Sequence, residues 1–186
     1  MTPTESAAAK PPLITPTFVL AWVANFCQFL VFYLFVTTMA LYAVESFGAS
    51  DTVGGFASSA FVLGATCMRV FSGWIVDRVG HKKAALTSLA FVTLVAVAYF
   101  FAHNVAVLII VRMVHGAGYA LTSTALMAVA QSVIPHERRA EGTGYFALGT
   151  TLATAFGPAI GLLLANNIGY TTLFAVALGA NSVSLI

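Results

Sequence analysis

Read for alternation between greasy and polar positions, the chain breaks into six apolar stretches joined by short polar connections. The stretches run Phe18 to Val44, Val53 to Val76, Ala84 to Ala102, Val105 to Val133, Gly144 to Ala165 and Thr171 to Ile186. The first five reach the ~20 residues that a helix needs to cross a bilayer, and the sixth nearly does. Spanning strands would alternate apolar and polar positions over about 10 residues. No such alternation occurs, so the pattern predicts an all-α membrane protein of six transmembrane helices. The connections are ESFGASDT, DRVGHKK, HN, IPHERRAEGT and NNIGYT.

Composition agrees. The 186 residues are 60% hydrophobic and 8% charged. Soluble domains carry about 25% charged residues. A net charge of +2 gives no reason to expect nucleic acid as a partner. The lipid bilayer is the expected environment. Cys27 and Cys67 lie in apolar runs and read as small buried hydrophobes. No spacing suggests a metal site, and no cofactor is expected. Residues 1–17 lack a signal-peptide pattern and read as a disordered cytoplasmic tail before a bundle over 18–186 that stops within helix 6.

Sorting the connections alternately puts Lys10, Arg78, Lys82, Lys83, Arg138 and Arg139 on one side. Glu45, Asp51, His103 and Asn104 fall on the other. The positive-inside rule makes the first side cytoplasmic, with both termini inside and the protein in the cell (inner) membrane. The turns Asp77–Lys83 (DRVGHKK) and Asn166–Thr172 (NNIGYTT) echo one another across that division. Each follows a long apolar run and carries an aliphatic residue before a Gly. A three-plus-three inverted repeat would leave such an echo, and so would chance.

Arg69, Gly73 and Asp77 recur every four residues and share a helix face. Gly73 would let another helix approach. Asp77, beside Arg78, would accept from the N-terminus of a neighbouring helix and act as a latch. Gly80 would permit a tight turn. Lys82 and Lys83 read as interfacial anchors. The run Gly73-x-x-x-Asp77-Arg78-x-Gly80-x-Lys82-Lys83 resembles the signature between helices 2 and 3 of the major facilitator superfamily. His81 stands where that signature usually has Arg, which replaces a permanent charge with a titratable one. The resemblance implies that Asp77, supported by Gly73 and Arg78, takes part in contacts between two halves that stabilise an outward-facing state.

Two further stretches are similar to the same family. Arg112, His115 and Gly116 share a face of the fourth run, and the family's fourth-helix motif likewise sets a polar residue and Gly after an Arg. There the Arg is linked to proton coupling or substrate handling, and His115 stands where Gln is common. In the fifth run Gly144, Ala153, Gly157, Pro158 and Gly161 match a motif of drug-efflux antiporters, with Ala153 where Gly is usual. Read from the residues alone, Gly149, Ala153, Gly157 and Gly161 form a packing stripe with a bend at Pro158.

Asn25 and Gln28 lie three apart in the first run. They either face a central cavity and meet Arg112 or bond between helices. No Asp or Glu lies within the core of any run, which leaves Arg69, Arg112 and His115 as the deep ionisable groups. The charged loop 135–145 is either solvated or a cytoplasmic gate. The resemblance covers nearly the whole chain and implies half of a twelve-helix fold, with the C-terminal six helices missing from this sequence. It implies secondary active transport of a small solute, with proton-coupled efflux by alternating access as the leading form. The other reading is a non-transporting six-span assembly partner or relic of a transporter. With no paired carboxylates, metal cluster or activated nucleophile in the sequence, no enzyme is expected.

Overall fold

The computed structural model describes residues 11–185. Most of the expected disordered tail, residues 1–10, and the final Ile186 lie outside that range. The described residues form six α-helices: α1 (Pro16–Phe47), α2 (Asp51–Val79), α3 (His81–Ala98), α4 (Val105–Val133), α5 (Arg139–Asn167) and α6 (Tyr170–Val183). Short 3-10 turns at Tyr99–Phe101 and His136–Arg138 follow α3 and precede α5. Five segments are long and apolar enough to cross a membrane, and α6, with 14 residues, is apolar but shorter.

The helices extend past the apolar runs that predict them. Glu45, Asp77, Arg78 and Glu141 are helical, and so are His81, Lys82 and Lys83. An apolar run marks the part of a helix that crosses hydrocarbon, and the backbone continues into the polar zone where charged side chains meet water. Local chemistry sets the ends. Thr15, Ser50 and Asn104 accept from Phe18, Val53 and Val107 backbone N–H groups at 3.2, 3.4 and 2.9 Å, as N-caps do. Pro16 stands in the first turn of α1, where its missing N–H costs nothing. Gly80 joins α2 to α3 as a single residue at φ +93°, which meets the expectation of a tight turn there. Gly169 precedes α6 at φ +110°.

Packing is set by close helix approach. A Cβ at Gly116 would collide with the Phe61 carbonyl, and one at Gly64 with the Met113 carbonyl. The backbones of α2 and α4 therefore touch. The α1–α5 pair repeats this, with a Gly161 Cβ falling 2.6 Å from the Leu34 carbonyl oxygen and a Gly157 Cβ 2.5 Å from Tyr33 Cβ. Gly149, Ala153, Gly157 and Gly161 are all buried, so the α5 stripe packs as expected, and the helix runs unbroken through Pro158. A Cβ at Gly73 or at Gly144 would meet no neighbouring atom within 4 Å. Neither is a helix-packing glycine among the described residues, and Gly142, set against Ile134, takes that part in α5.

Two apolar clusters mark the ends of the bundle. One gathers Leu13, Phe18, Val76, Ala84, Ile134 and Phe146. The other gathers Ala43, Ala57, Tyr99, Leu108, Leu173 and Phe174. Arg78, Lys82, Lys83, Arg138 and Arg139 adjoin the first cluster along the chain, so the basic connections share one end of the molecule. Leu13 is only 3% exposed, and Arg138 donates to the Pro11 carbonyl at 2.9 Å. The last residues of the expected tail are thus packed against the bundle. Cys27 is buried but Cys67 is exposed, which corrects the expectation for the second cysteine.

These contacts predict opposite outcomes for two glycines of α2. Gly64→Ala should lower the melting temperature of detergent-solubilised protein, by an overpacking cost of about 1–3 kcal/mol. Gly73→Ala should stay within about 0.5 kcal/mol of wild type. Equal melting shifts for the two would refute the α2–α4 backbone contact.

Candidate functional site

Three groups of polar residues stand out, two of them buried in the bundle and one lining a cleft with exposed walls. The first surrounds Arg112, seven residues into α4 and thus ~10 Å along it. Its side chain is fully buried. Nη2 donates to the Ser58 carbonyl at 2.9 Å. The guanidinium carbon lies 4.7 Å from the Phe61 ring centre and 5.9 Å from that of Phe35, a cation–π cage. Nε and Nη1 have no hydrogen-bond partner among the described residues. One turn on, His115 Nδ1 and the Tyr99 hydroxyl are 3.0 Å apart in a hydrogen bond whose direction follows the imidazole tautomer. Gly116 sits against α2 as described. The expected trio of Arg112, His115 and Gly116 is brought together, but in a closed interface between helices.

The second group lines an open cleft of about 480 Å³ between α1, α2, α4 and α5. Asn25 and Phe29 come from α1, Arg69 from α2, Ser123, Thr124 and Met127 from α4, and Phe146, Ala147, Thr150 and Thr151 from α5. Asn25 Nδ2 donates to Thr150 Oγ1 at 3.3 Å. Arg69 Nη2 reaches Ser123 Oγ at 3.4 Å. Arg69 thus belongs with the cleft, although its helical spacing groups it with Asp77.

Asn25 and Gln28 do not meet Arg112. Gln28 turns to α6, donating to Asn181 Oδ1 at 2.8 Å and Ser184 Oγ at 3.1 Å. The reason is rotation: three residues advance a helix by about 300°, enough to aim the pair at different neighbours. Sequence reasoning missed the cleft's Thr150, Thr151 and Ser123, and the Asn181 partner. Asn181, an amide inside the sixth apolar run, was the one visible signal.

Asp77 is not latched to a neighbouring helix here. Its side chain is 82% exposed, and His81 Nε2 lies 3.9 Å from its carboxylate. Arg78 stacks over Trp74 at 5.3 Å. Lys82 and Lys83 are exposed in the first turn of α3. In the 135–145 loop Arg138 grips Glu141 through two hydrogen bonds of 2.9 and 2.7 Å.

The sequence has known counterparts. The sequence profile of the Major Facilitator Superfamily matches residues 21–186. The chain belongs to this superfamily. Members of the superfamily similar to it include the staphylopine export protein of Staphylococcus aureus, 31% identical over 133 residues, which is 70% of this chain and 32% of that protein. The multi-drug resistance efflux pump PmrA of Streptococcus pneumoniae is 30% identical over 161 residues, 83% of this chain and 39% of the pump. The chain therefore matches well under half the length of these superfamily relatives. As a superfamily member with several helices long and apolar enough to cross a membrane, it is an integral, multi-pass membrane protein.

Arg112 offers a test of what holds this superfamily half together. A buried cation without a carboxylate costs desolvation that one carbonyl and two rings offset in part. Arg112→Met should therefore leave the melting temperature unchanged or raise it. A loss of more than about 3 kcal/mol, the cost of breaking a well-compensated buried charge, would instead make Arg112 a structural tie.

Proposed function

We propose that this chain forms the N-terminal six-helix half of a secondary active transporter that exports a small solute by alternating access, driven by a proton gradient. The observation that carries the reading is an open cleft on four helices, with Asn25, Arg69, Ser123 and Thr150 set in a mainly apolar wall, in a superfamily half whose relatives are named as exporters. Ligand pockets typically enclose about 300–1,000 Å³, and the cleft falls within that range.

The halves of such a transporter rock about a central site built from repeated units. A three-plus-three inverted repeat is supported by helix spacing. Helix starts recur 89, 88 and 89 residues on, from Pro16 to Val105, Asp51 to Arg139 and His81 to Tyr170. Contacts recur too: α2 packs on α4 as α5 packs on α1. In both units a positive-φ Gly caps the third helix. Under this reading α6 is the third spanning helix of the second unit.

The basic end of the bundle is the cytoplasmic one, which sets both ends of this segment on the cytoplasmic side of the cell membrane. Asp77, Arg78 and Gly73 are left exposed for the second six-helix half, where Asp77 forms the latch. Arg112 and His115 form the proton-handling pair: both are closed off from the cleft, and a chain of ring contacts through Phe61, Tyr119 and Phe29 links them to its wall. Gly157 and Gly161 hold α5 against α1 during the rocking motion.

The native polypeptide that carries this chain, reconstituted in liposomes with an imposed pH gradient, tests the reading with a panel of anionic, neutral and cationic dyes. At least one dye should move uphill, and a protonophore should return its flux to that of empty liposomes. His115→Gln should alter the pH dependence of the flux. Uphill movement that survives the protonophore removes proton coupling, and no movement of any dye removes the transport reading.

A further inference from the structure

The cleft has one ionisable lining residue, Arg69. It lies ten residues before Val79, ~15 Å from that end of α2. A cation at this depth is costly against lipid and belongs in a protein-lined or watery space. Its neighbours fit that placement. Ser123 is across the cleft on α4, and Gly73, one turn further along α2, leaves the approach from the Asp77 end clear.

Hydrogen-bond bookkeeping then separates donors from acceptors. Thr124 donates its hydroxyl proton to the Ala120 carbonyl, Ser123 to the same carbonyl, and Thr151 to the Ala147 carbonyl, at 2.8, 3.2 and 3.2 Å. These hydroxyls present oxygen lone pairs to the cleft. The donors left for a solute are the Thr150 hydroxyl, the second Asn25 N–H and, as the one charged group, the guanidinium, which carries five N–H bonds and spends one on Ser123. Among the described residues no carboxylate lines the cleft. A cationic solute would meet the Arg69 charge with nothing to offset it. An anionic group would gain a forked, charge-assisted contact. Phe29, Met127 and Phe146 supply apolar walls for the rest of the molecule.

We infer that this cleft selects an amphipathic organic anion, its carboxylate or similar acidic group held by Arg69 and its apolar body against Phe29, Met127 and Phe146. The inference rests on the transport reading for its purpose but on the cleft alone for its chemistry. Binding and flux therefore test it separately.

The probes are carboxyfluorescein, an anion, and rhodamine 123, a cation on the same ring system. Fluorescence polarisation is measured with the purified native polypeptide that carries this chain, and flux with the same protein in liposomes. Wild type should bind the anion at least about tenfold more tightly than the cation, as a charge-assisted fork would provide. Arg69→Gln should erase that preference by weakening the anion alone, and Arg69→Lys should keep part of it, the charge without the fork. Unshifted melting and gel-filtration profiles establish that the variants are folded. Arg69-dependent anion binding without flux would uphold the anion site and end the transport reading. Flux of the cation without anion binding would do the reverse. Anion binding unchanged in Arg69→Gln, or binding of neither dye, would overturn the anion site.

Discussion

Two glycines set against two carbonyls shape the interior of this protein. Where Gly116 meets Phe61 and Gly64 meets Met113, the backbones of α2 and α4 come into direct contact. In hydrocarbon no hydrophobic force pulls helices together, so close van der Waals packing must do it. That contact encloses Arg112 between the same two helices and brings Phe61 over its charge. The α1–α5 contact at Gly157 and Gly161 does the equivalent on the other flank. With each pair drawn tight, the space between the pairs stays open, and Arg69, Asn25, Thr150 and Thr151 face it.

The two arginines show how one residue type divides between tasks. Arg112 is sealed, caged by rings and bonded to a backbone carbonyl. It has no route to a solute in this conformation. Arg69 is exposed and has only a long bond to a hydroxyl. Among the described residues, neither forms an ion pair with an acid. In a medium of low dielectric constant an uncompensated charge acts over a long range, so each site is biased toward whatever negative or electron-rich group can reach it. For Arg112 that role falls to the aromatic rings.

Much of the architecture was legible because the bilayer imposes a simple code. Length and greasiness gave the helices, and the placement of Lys and Arg gave a common end for the basic loops. Gly80 was readable because a one-residue connection between helices requires an unusual backbone angle. Side-chain partners were less legible. Helical spacing correctly grouped Arg112 with His115 and Gly116, yet it could not tell a closed interface from a cavity wall. The same rule grouped Arg69 with Gly73 and Asp77, although Arg69 pairs across space with Ser123. Gln28 belongs to α6 through Asn181, a contact between residues 153 positions apart that no local pattern encodes. Gly73 and Gly144 look like packing glycines in sequence, yet among the described residues neither has a neighbouring helix within reach.

For the cleft to carry a solute it must be a watery path while the Arg112 region stays sealed. Single-cysteine variants of the native polypeptide, made in a Cys27→Ser, Cys67→Ser background and treated in membranes with a charged, water-soluble thiol reagent, measure this directly. Cysteine at Thr151 or Ser123 should label readily, and cysteine at Phe61 or Tyr99 should resist until the protein is denatured. Protection of Thr151→Cys and Ser123→Cys together with rapid labelling at Phe61 or Tyr99 would contradict the account and move the solute path to Arg112.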